Sequence, residues 1–130
     1  MLNKAKWLVK EATLRVQYMT SQDCIFCKII KGEIKVEPIV ESKLVIAFND
    51  INPVAKTHIL IVPKRHIESV ATVENSDADE IIELFRVADK IVKERDLAAY
   101  RLTFNGGSYQ HVPHLHMHLL AGGKIEWAKL

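Results

Sequence analysis

The amino-acid sequence predicts an α+β fold in which about five mostly antiparallel strands form a sheet against one long helix. Three observations predict it. Short apolar runs bounded by turn residues recur along the chain, a stretch beginning at Ser76 has helical periodicity, and residues 114–121 alternate with period two. The chain has 130 residues, 48% of them hydrophobic and 26% charged, so we expect one domain with a packed core.

Composition excludes several classes of protein. No apolar run approaches the roughly 20 residues that a membrane-spanning helix needs. A net charge of +2 is small for a dedicated nucleic-acid binder. Two cysteines are too few for a disulfide scaffold. We therefore expect a cytoplasmic protein that binds neither membranes nor nucleic acid.

The first 22 residues differ from the rest, because four basic side chains face a single acid and neither glycine nor proline occurs. One interpretation is a basic amphipathic helix, acting as a transit peptide or a membrane-surface arm. The other is a non-essential extension, with Met19 as the true start. We expect the folded domain to span 23–130.

A short helix should open the domain over 24–31, with Asp23 as its N-cap and Gly32 just beyond its end. Ser76 should cap the long helix, which runs to about Arg95. Its apolar stripe is expected to comprise Ile81, Ile82, Leu84, Phe85, Ala88, Ile91 and Val92. Strands are expected over 39–40, 44–48, 58–62, 100–104 and 114–121.

The six histidines all lie between residues 58 and 118, which indicates one site. Side chains alternate along a strand, so His114, His116 and His118 should share one side of the sheet. Neutral imidazoles are both metal ligands and nucleophiles. A metal-only site completed by Glu126 and nucleophilic catalysis at phosphorus both remain open, although the long helix argues against the all-β barrel typical of the former.

The run HLHMHLL at 114–120 resembles the signature of the histidine triad (HIT) superfamily. The segments at 24–30, 47–51 and 57–66 are similar to its Hint branch in order and spacing, and Trp127 follows His118 by nine residues. The resemblance covers 23–127. It implies a HIT-like fold with one long and one short helix, and a homodimer in which Trp127 approaches the partner's active site.

The resemblance implies hydrolysis of purine nucleoside 5′-phosphoramidates and related adenylates through a covalent nucleotidyl-histidine. It assigns His116 as nucleophile, His118 to the phosphate and His58 to the leaving-group side. Asp50 would bind the ribose hydroxyls, with Asn105 and Gln110 on the phosphate side. The apolar purine slot would comprise Ile25, Phe26, Ile29, Phe48 and Ile51.

Three alternatives stay open: a dinucleoside polyphosphate hydrolase, a nucleotidyl transferase, and a nucleotide-binding regulatory protein with vestigial activity. The chain also departs from the Hint pattern. The loop between Asn105 and His114 is about two residues short, and His111 stands where a small or polar residue is common.

The C-x-x-C pair Cys24 and Cys27 is compatible with a redox pair, free thiols or half of a metal site. By resemblance to family members that bind zinc, these cysteines join His66 and His114 in a closed, structural Cys₂His₂ site.

Overall fold

A computed structural model describes residues 23–130, so the predictions for 1–22 lie outside the described residues. Five strands make one antiparallel sheet: β1 (Val40–Glu41), β2 (Val45–Asn49), β3 (Thr57–Pro63), β4 (Arg101–Thr103) and β5 (Met117–Ala121). Their order across the sheet is β1-β2-β3-β5-β4. The predicted α+β class with five antiparallel strands is confirmed.

The short helix α1 spans Ile25–Ile30 and is capped differently from the prediction. Cys24, not Asp23, is the N-cap, and its Sγ accepts a hydrogen bond from the Cys27 amide at 3.4 Å. The thiol therefore satisfies a free N–H of the first turn, as Ser or Asp does elsewhere. Gly32 follows the helix with φ of 82°, a backbone conformation that favours glycine.

The long helix α2 spans Ala78–Glu94, and its N-cap is Asp77 rather than Ser76. The Glu80 carboxylate accepts from the Asp77 amide at 3.2 Å and pairs with the Arg65 guanidinium at 3.0 Å. The buried side of α2 includes Glu80 and Val87, which the expected stripe omitted. Ile82 and Phe85 are about half exposed, and that part of the prediction is wrong.

The two sides of the sheet carry separate apolar clusters. Ile59 and Ile61 of β3, with Met117 and Leu119, pack on the side that α2 covers. Leu60 and Val62 face the other side, where they pack with α1 through Phe26, Cys27 and Ile29. The sheet is thus buried on both sides at its centre, and β5 contributes His118 to the α1 side.

The last strand is shorter than expected, because β5 begins at Met117 rather than at His114. Its pairing with β3 stops at Ile61 and Met117, and the Leu115 amide donates instead to the Ile67 carbonyl at 2.6 Å. A turn of 3-10 helix over Val70–Asn75, capped by Ser69, is a further element that the sequence did not predict. Within 23–130, no helix is long and apolar enough to cross a membrane.

Candidate functional site

The three alternating histidines near β5 lie on the α1 side of the sheet. The Phe26 ring is 5.8 Å from the His114 ring and 5.0 Å from the His116 ring, centre to centre. The His116 and His118 rings are 4.9 Å apart. All three side chains are buried. The structure therefore brings together the imidazoles that the alternation placed on one side.

A hydrogen-bonded chain fixes the tautomers of His58 and His118. The Val54 amide donates to His58 Nδ1 at 3.0 Å, so the proton of the neutral His58 ring is on Nε2. That N–H donates to His118 Nδ1 at 2.8 Å. The proton of His118 is then on Nε2, which is buried and has no partner in the described part of the chain.

The tautomer of His116 is the opposite one. Its Nδ1–H donates to the backbone carbonyl of His114 at 2.7 Å. The Nε2 lone pair is therefore free of hydrogen bonds to residues 23–130. The site thus presents one imidazole lone pair, on His116, next to one imidazole N–H, on His118.

Burial keeps these imidazoles neutral. It lowers the pKa of His58 and of His116, and it is the largest cause of the low pKa of His118, about 3. Neighbouring imidazoles lower the pKa of His118 further. The Asp50 carboxylate opposes the effect of burial on His58 and His116. At neutral pH the three rings are available as a nucleophile and as neutral donors.

A cavity of about 430 Å³ opens beside the three imidazoles. All five residues assigned by resemblance to a purine slot line it: Ile25, Phe26, Ile29, Phe48 and Ile51. Asp50 also lines it. One Asp50 oxygen accepts from the Asn52 amide at 2.8 Å, and the other lies 3.3 Å from His58 Nε2. The cavity is therefore apolar on one side and carries imidazoles and a carboxylate on the other.

Asn105 and Gln110, which the resemblance assigned to the phosphate side, are not among the residues that line this cavity. The Asn105 amide donates to the Leu130 carbonyl at 3.3 Å. The Gln110 amide donates to the carbonyls of Glu68 and Val112, at 2.8 and 2.9 Å. In this structure both amides hold backbone segments together, and their roles in phosphate binding stay predictions.

A second cavity, of about 490 Å³, adjoins the first. His111 and Leu130 line both cavities, whereas Trp127 lines only the second. The Arg101 guanidinium lies 5.1 Å from the centre of the Trp127 ring. Sequence reasoning noted His111 as a departure from the Hint pattern but gave it no role. The clustering of all six histidines was the one signal that included it.

The predicted zinc ligands converge at the first turn of α1. His66 Nδ1 lies 3.2 Å from Cys27 Sγ and 3.1 Å from His114 Nδ1. His114 Nδ1 lies 3.4 Å from Cys24 Sγ and 3.6 Å from Cys27 Sγ. All four donor atoms lie within 4.8 Å of one another.

This donor set fits zinc. Zinc–nitrogen bonds of about 2.0–2.1 Å and zinc–sulfur bonds of about 2.3 Å set donor separations of roughly 3.3–3.8 Å in a tetrahedron. The His114 Nε2–H donates to the Pro63 carbonyl at 2.8 Å, which directs its Nδ1 lone pair toward the sulfurs. Burial and the neighbouring Cys24 raise the pKa of Cys27 to about 12, so the thiolate form needs a cation beside it.

Residues 23–128 match the family described as scavenger mRNA decapping enzyme C-term binding. The chain is 44% identical to a histidine triad protein from Clostridium difficile, over 80% of this chain and 94% of that one, with a TM-score of 0.75. The chain belongs to the histidine triad superfamily.

Two further relatives extend the comparison. A HIT family hydrolase from Legionella pneumophila Philadelphia 1 is 40% identical, over 81% of this chain and 97% of that one, with a TM-score of 0.75. A maize (Zea mays) protein named 14 kDa zinc-binding protein is 40% identical over 123 residues, covering 91% of this chain and 94% of the relative. The HIT-like fold that the resemblance implied is confirmed.

Proposed function

We infer that this HIT protein hydrolyses purine nucleoside 5′-phosphoramidates and related adenylates through a nucleotide bound covalently to His116. The observation that carries this proposal is the pairing of opposite tautomers. His116 offers a lone pair on Nε2, and the adjacent His118 offers a proton on Nε2. A nucleophile and an oxyanion donor side by side are what attack at a phosphorus centre requires.

In the first step, His116 Nε2 forms a bond to the α-phosphorus, and the bond from phosphorus to the leaving group breaks. The His116 ring, which has attacked phosphorus, becomes positively charged. The His114 carbonyl, which accepts from His116 Nδ1–H at 2.7 Å, stabilises that charge. The His118 Nε2–H donates to a non-bridging oxygen. Water then cleaves the phosphorus–nitrogen bond to His116 and releases the nucleoside monophosphate.

His58 has a supporting role in this proposal. Its two ring nitrogens are engaged by the Val54 amide and by His118. It therefore holds His118 in the tautomer that donates, instead of contacting the leaving group as the resemblance implied. This makes His58 a positioning residue.

The nucleoside would occupy the cavity beside the imidazoles. The base would pack between the apolar side chains of α1 and Phe48, where burial of a flat ring is favourable. Asp50 retains acceptor capacity for the ribose hydroxyls, because a carboxylate accepts about four hydrogen bonds and its oxygens have two polar contacts within 23–130.

Zinc bound by Cys24, Cys27, His66 and His114 would supply structural cross-linking, not chemistry at phosphorus. His114 links that site to the nucleophile, because its ring faces the cysteines while its carbonyl orients His116. The names of the Legionella and maize relatives, a hydrolase and a zinc-binding protein, agree with the coarser part of this proposal.

Rapid-quench mass spectrometry tests the covalent step. Wild-type protein mixed with adenosine 5′-phosphoramidate should gain the mass of one adenylyl group, located on His116. His116→Ala should form no adduct and lose roughly 10⁴-fold in turnover, with zinc content unchanged. Nucleotide binding without turnover in the wild type would instead favour a regulatory protein.

The second cavity favours one alternative substrate class, dinucleoside polyphosphates. It adjoins the first and carries Trp127 and Tyr109, which offer aromatic surface to a second base. Parallel assays with adenosine 5′-phosphoramidate and a dinucleoside polyphosphate decide between the two by their kcat/KM values.

A homodimer is part of the proposal. In the described sheet β4 is an edge strand. Tyr100, the residue before β4, and Phe85 of α2 are both about half exposed. An edge strand beside exposed apolar side chains suits pairing with a second copy. A cytoplasmic location and a domain spanning 23–130 also remain proposals.

A further inference from the structure

The proposed phosphoramidase reaction needs a proton that the buried imidazoles do not supply. An amine leaves phosphorus readily only when its nitrogen is protonated. The N–H of His116 is hydrogen-bonded to the His114 carbonyl, and the N–H of His58 is hydrogen-bonded to His118. Loss of the remaining N–H from His118 would leave an anionic ring. The low pKa of His118, about 3, means that this ring does not carry a second proton at neutral pH.

His111 differs from the other five histidines. All six lie within 23–130, and among them His111 is the one that is exposed to solvent. Its side chain lines both the cavity that contains His116 and His118 and the adjoining second cavity. His111 therefore lies between the cavity that would hold the reacting phosphorus and the second cavity.

Electrostatics agrees with this placement. The charge of His111 lowers the pKa of His116 and of His118, so its imidazole lies within electrostatic reach of both rings. Histidine is the side chain that takes up and releases protons near neutral pH, and exposure gives this ring access to protons from water.

We propose that His111 is a catalytic residue of this chain, the acid that protonates the departing amine. The inference rests on the proposed function. It assigns a role to a residue that neither the triad nor the predicted nucleotide contacts include.

The step balances as follows. His116 Nε2 forms the bond to phosphorus, and the phosphorus–amine bond breaks with its electron pair on nitrogen. Protonated His111 gives its proton to that nitrogen, so a neutral amine leaves and His111 becomes neutral. In the second step, water attacks phosphorus, its proton passes to His111, and the bond electrons return to His116 Nε2.

Other titratable groups face the same space. In the wall of the first cavity these are Lys35, Asp50, His58, His116, His118 and Lys129. Tyr109 lines the second cavity. The Lys129 ammonium pairs with the Glu126 carboxylate at 3.1 Å. His111 is the exposed group whose charge acts on both His116 and His118.

A pair of substrates with different leaving groups tests the proposal. One is adenosine 5′-phosphoramidate with an alkylamine, which must be protonated. The other is the p-nitrophenyl ester of AMP, whose leaving group departs as a stable anion. His111→Asn should lower kcat/KM for the amine substrate at least about tenfold more than for the ester, within the usual contribution of a general acid.

Ser108→Ala is the matched control, because Ser108 lies in the same loop and lines only the second cavity. It should leave the ratio of the two rates at the wild-type value. Thermal melting and zinc content verify that His111→Asn is folded. Equal slowing of both substrates by His111→Asn would overturn the role of His111 while leaving the proposed function intact. No turnover of either substrate by the wild type would instead overturn the proposed function.

Discussion

Two groups of histidines lie beside α1, contain residues that are close in sequence, and differ in which ring nitrogen keeps its lone pair. In the metal-ligand group, His114 donates through Nε2 to the Pro63 carbonyl, and its Nδ1 lone pair faces two sulfurs. Beside the cavity, His116 donates through Nδ1 and keeps its Nε2 lone pair. His114 and His116, two residues apart, thus present opposite nitrogens.

This difference shows that the strand places the rings but hydrogen bonds decide their chemistry. His114 and His116 both donate to a backbone carbonyl, and the position of that carbonyl decides which nitrogen remains free. The lone pair of His114 meets Cys24 and Cys27, whereas that of His116 meets open space in the cavity. Perturbation of one group should therefore be separable from perturbation of the other.

After His116→Ala, the next largest effect that distinguishes the two groups is expected for His118→Gln. Loss of the donor to the phosphate should lower kcat by roughly 10²–10³-fold, the usual cost of removing one oxyanion donor. The zinc-to-chain ratio should remain that of the wild type, because His118 is not among the four converging ligands. Steady-state kinetics and metal analysis measure the two quantities. Loss of zinc in this variant would contradict the separation.

Cys27→Ser removes one of the four ligands of the metal-ligand group. The variant should bind zinc poorly, and its melting temperature should fall by about 10 °C, equivalent to roughly 2–3 kcal/mol for a domain of this size. Calorimetry and metal analysis on protein purified without chelator measure these effects. Lys28→Ala, on the adjacent and partly exposed position of α1, is the control. Equal melting temperatures for Cys27→Ser and the control would refute a stabilising metal.

The third effect, smaller when counted per pH unit, is the pH dependence of stability. His118 has a pKa of about 3 in the folded chain, against 6.5 as its ordinary value. Below about pH 6.5 the unfolded chain binds a proton that the folded chain does not, so acid lowers the free energy of unfolding. This group contributes about 1.4 kcal/mol per pH unit, lost as pH falls from about 6.5 toward 3.

Urea unfolding at several pH values, with zinc in excess, measures this slope. His118→Gln should have a shallower dependence on pH than the wild type because it lacks the titrating ring. Identical slopes for the two proteins would mean that the folded and unfolded chains bind the same number of protons at this position.

The sequence predicted those features that depend on periodicity. Alternation placed His114, His116 and His118 on one side of the sheet, and the helical period located α2. The caps were wrong at both helices, because Cys24 and Asp77 compete with the adjacent Asp23 and Ser76, and only the three-dimensional path of the chain decides between them.

The features that were not predicted depend on long-range contacts in irregular segments. Gln110 donates to Glu68, 42 residues away, and no local pattern indicates this. His111 lies in a loop without periodicity, so its place between two cavities could not be derived from spacing. The tautomers require the positions of Val54 and the His114 carbonyl, which are backbone groups without a sequence signature. The site roles themselves stay predictions.

Phe26 sits between Cys24 and Cys27 in the chain, and its ring lies 5.9 Å from Phe48 and 5.0 Å from His116, centre to centre. The Phe26 side chain thus forms a wall of the proposed base slot, while the cysteines two residues before it and one residue after it supply metal donors. A smaller side chain at position 26 would enlarge the base slot, and it would also remove packing from the helical turn that holds the metal ligands. Substitutions of Phe26 are therefore expected to change the substrate range and the thermal stability together.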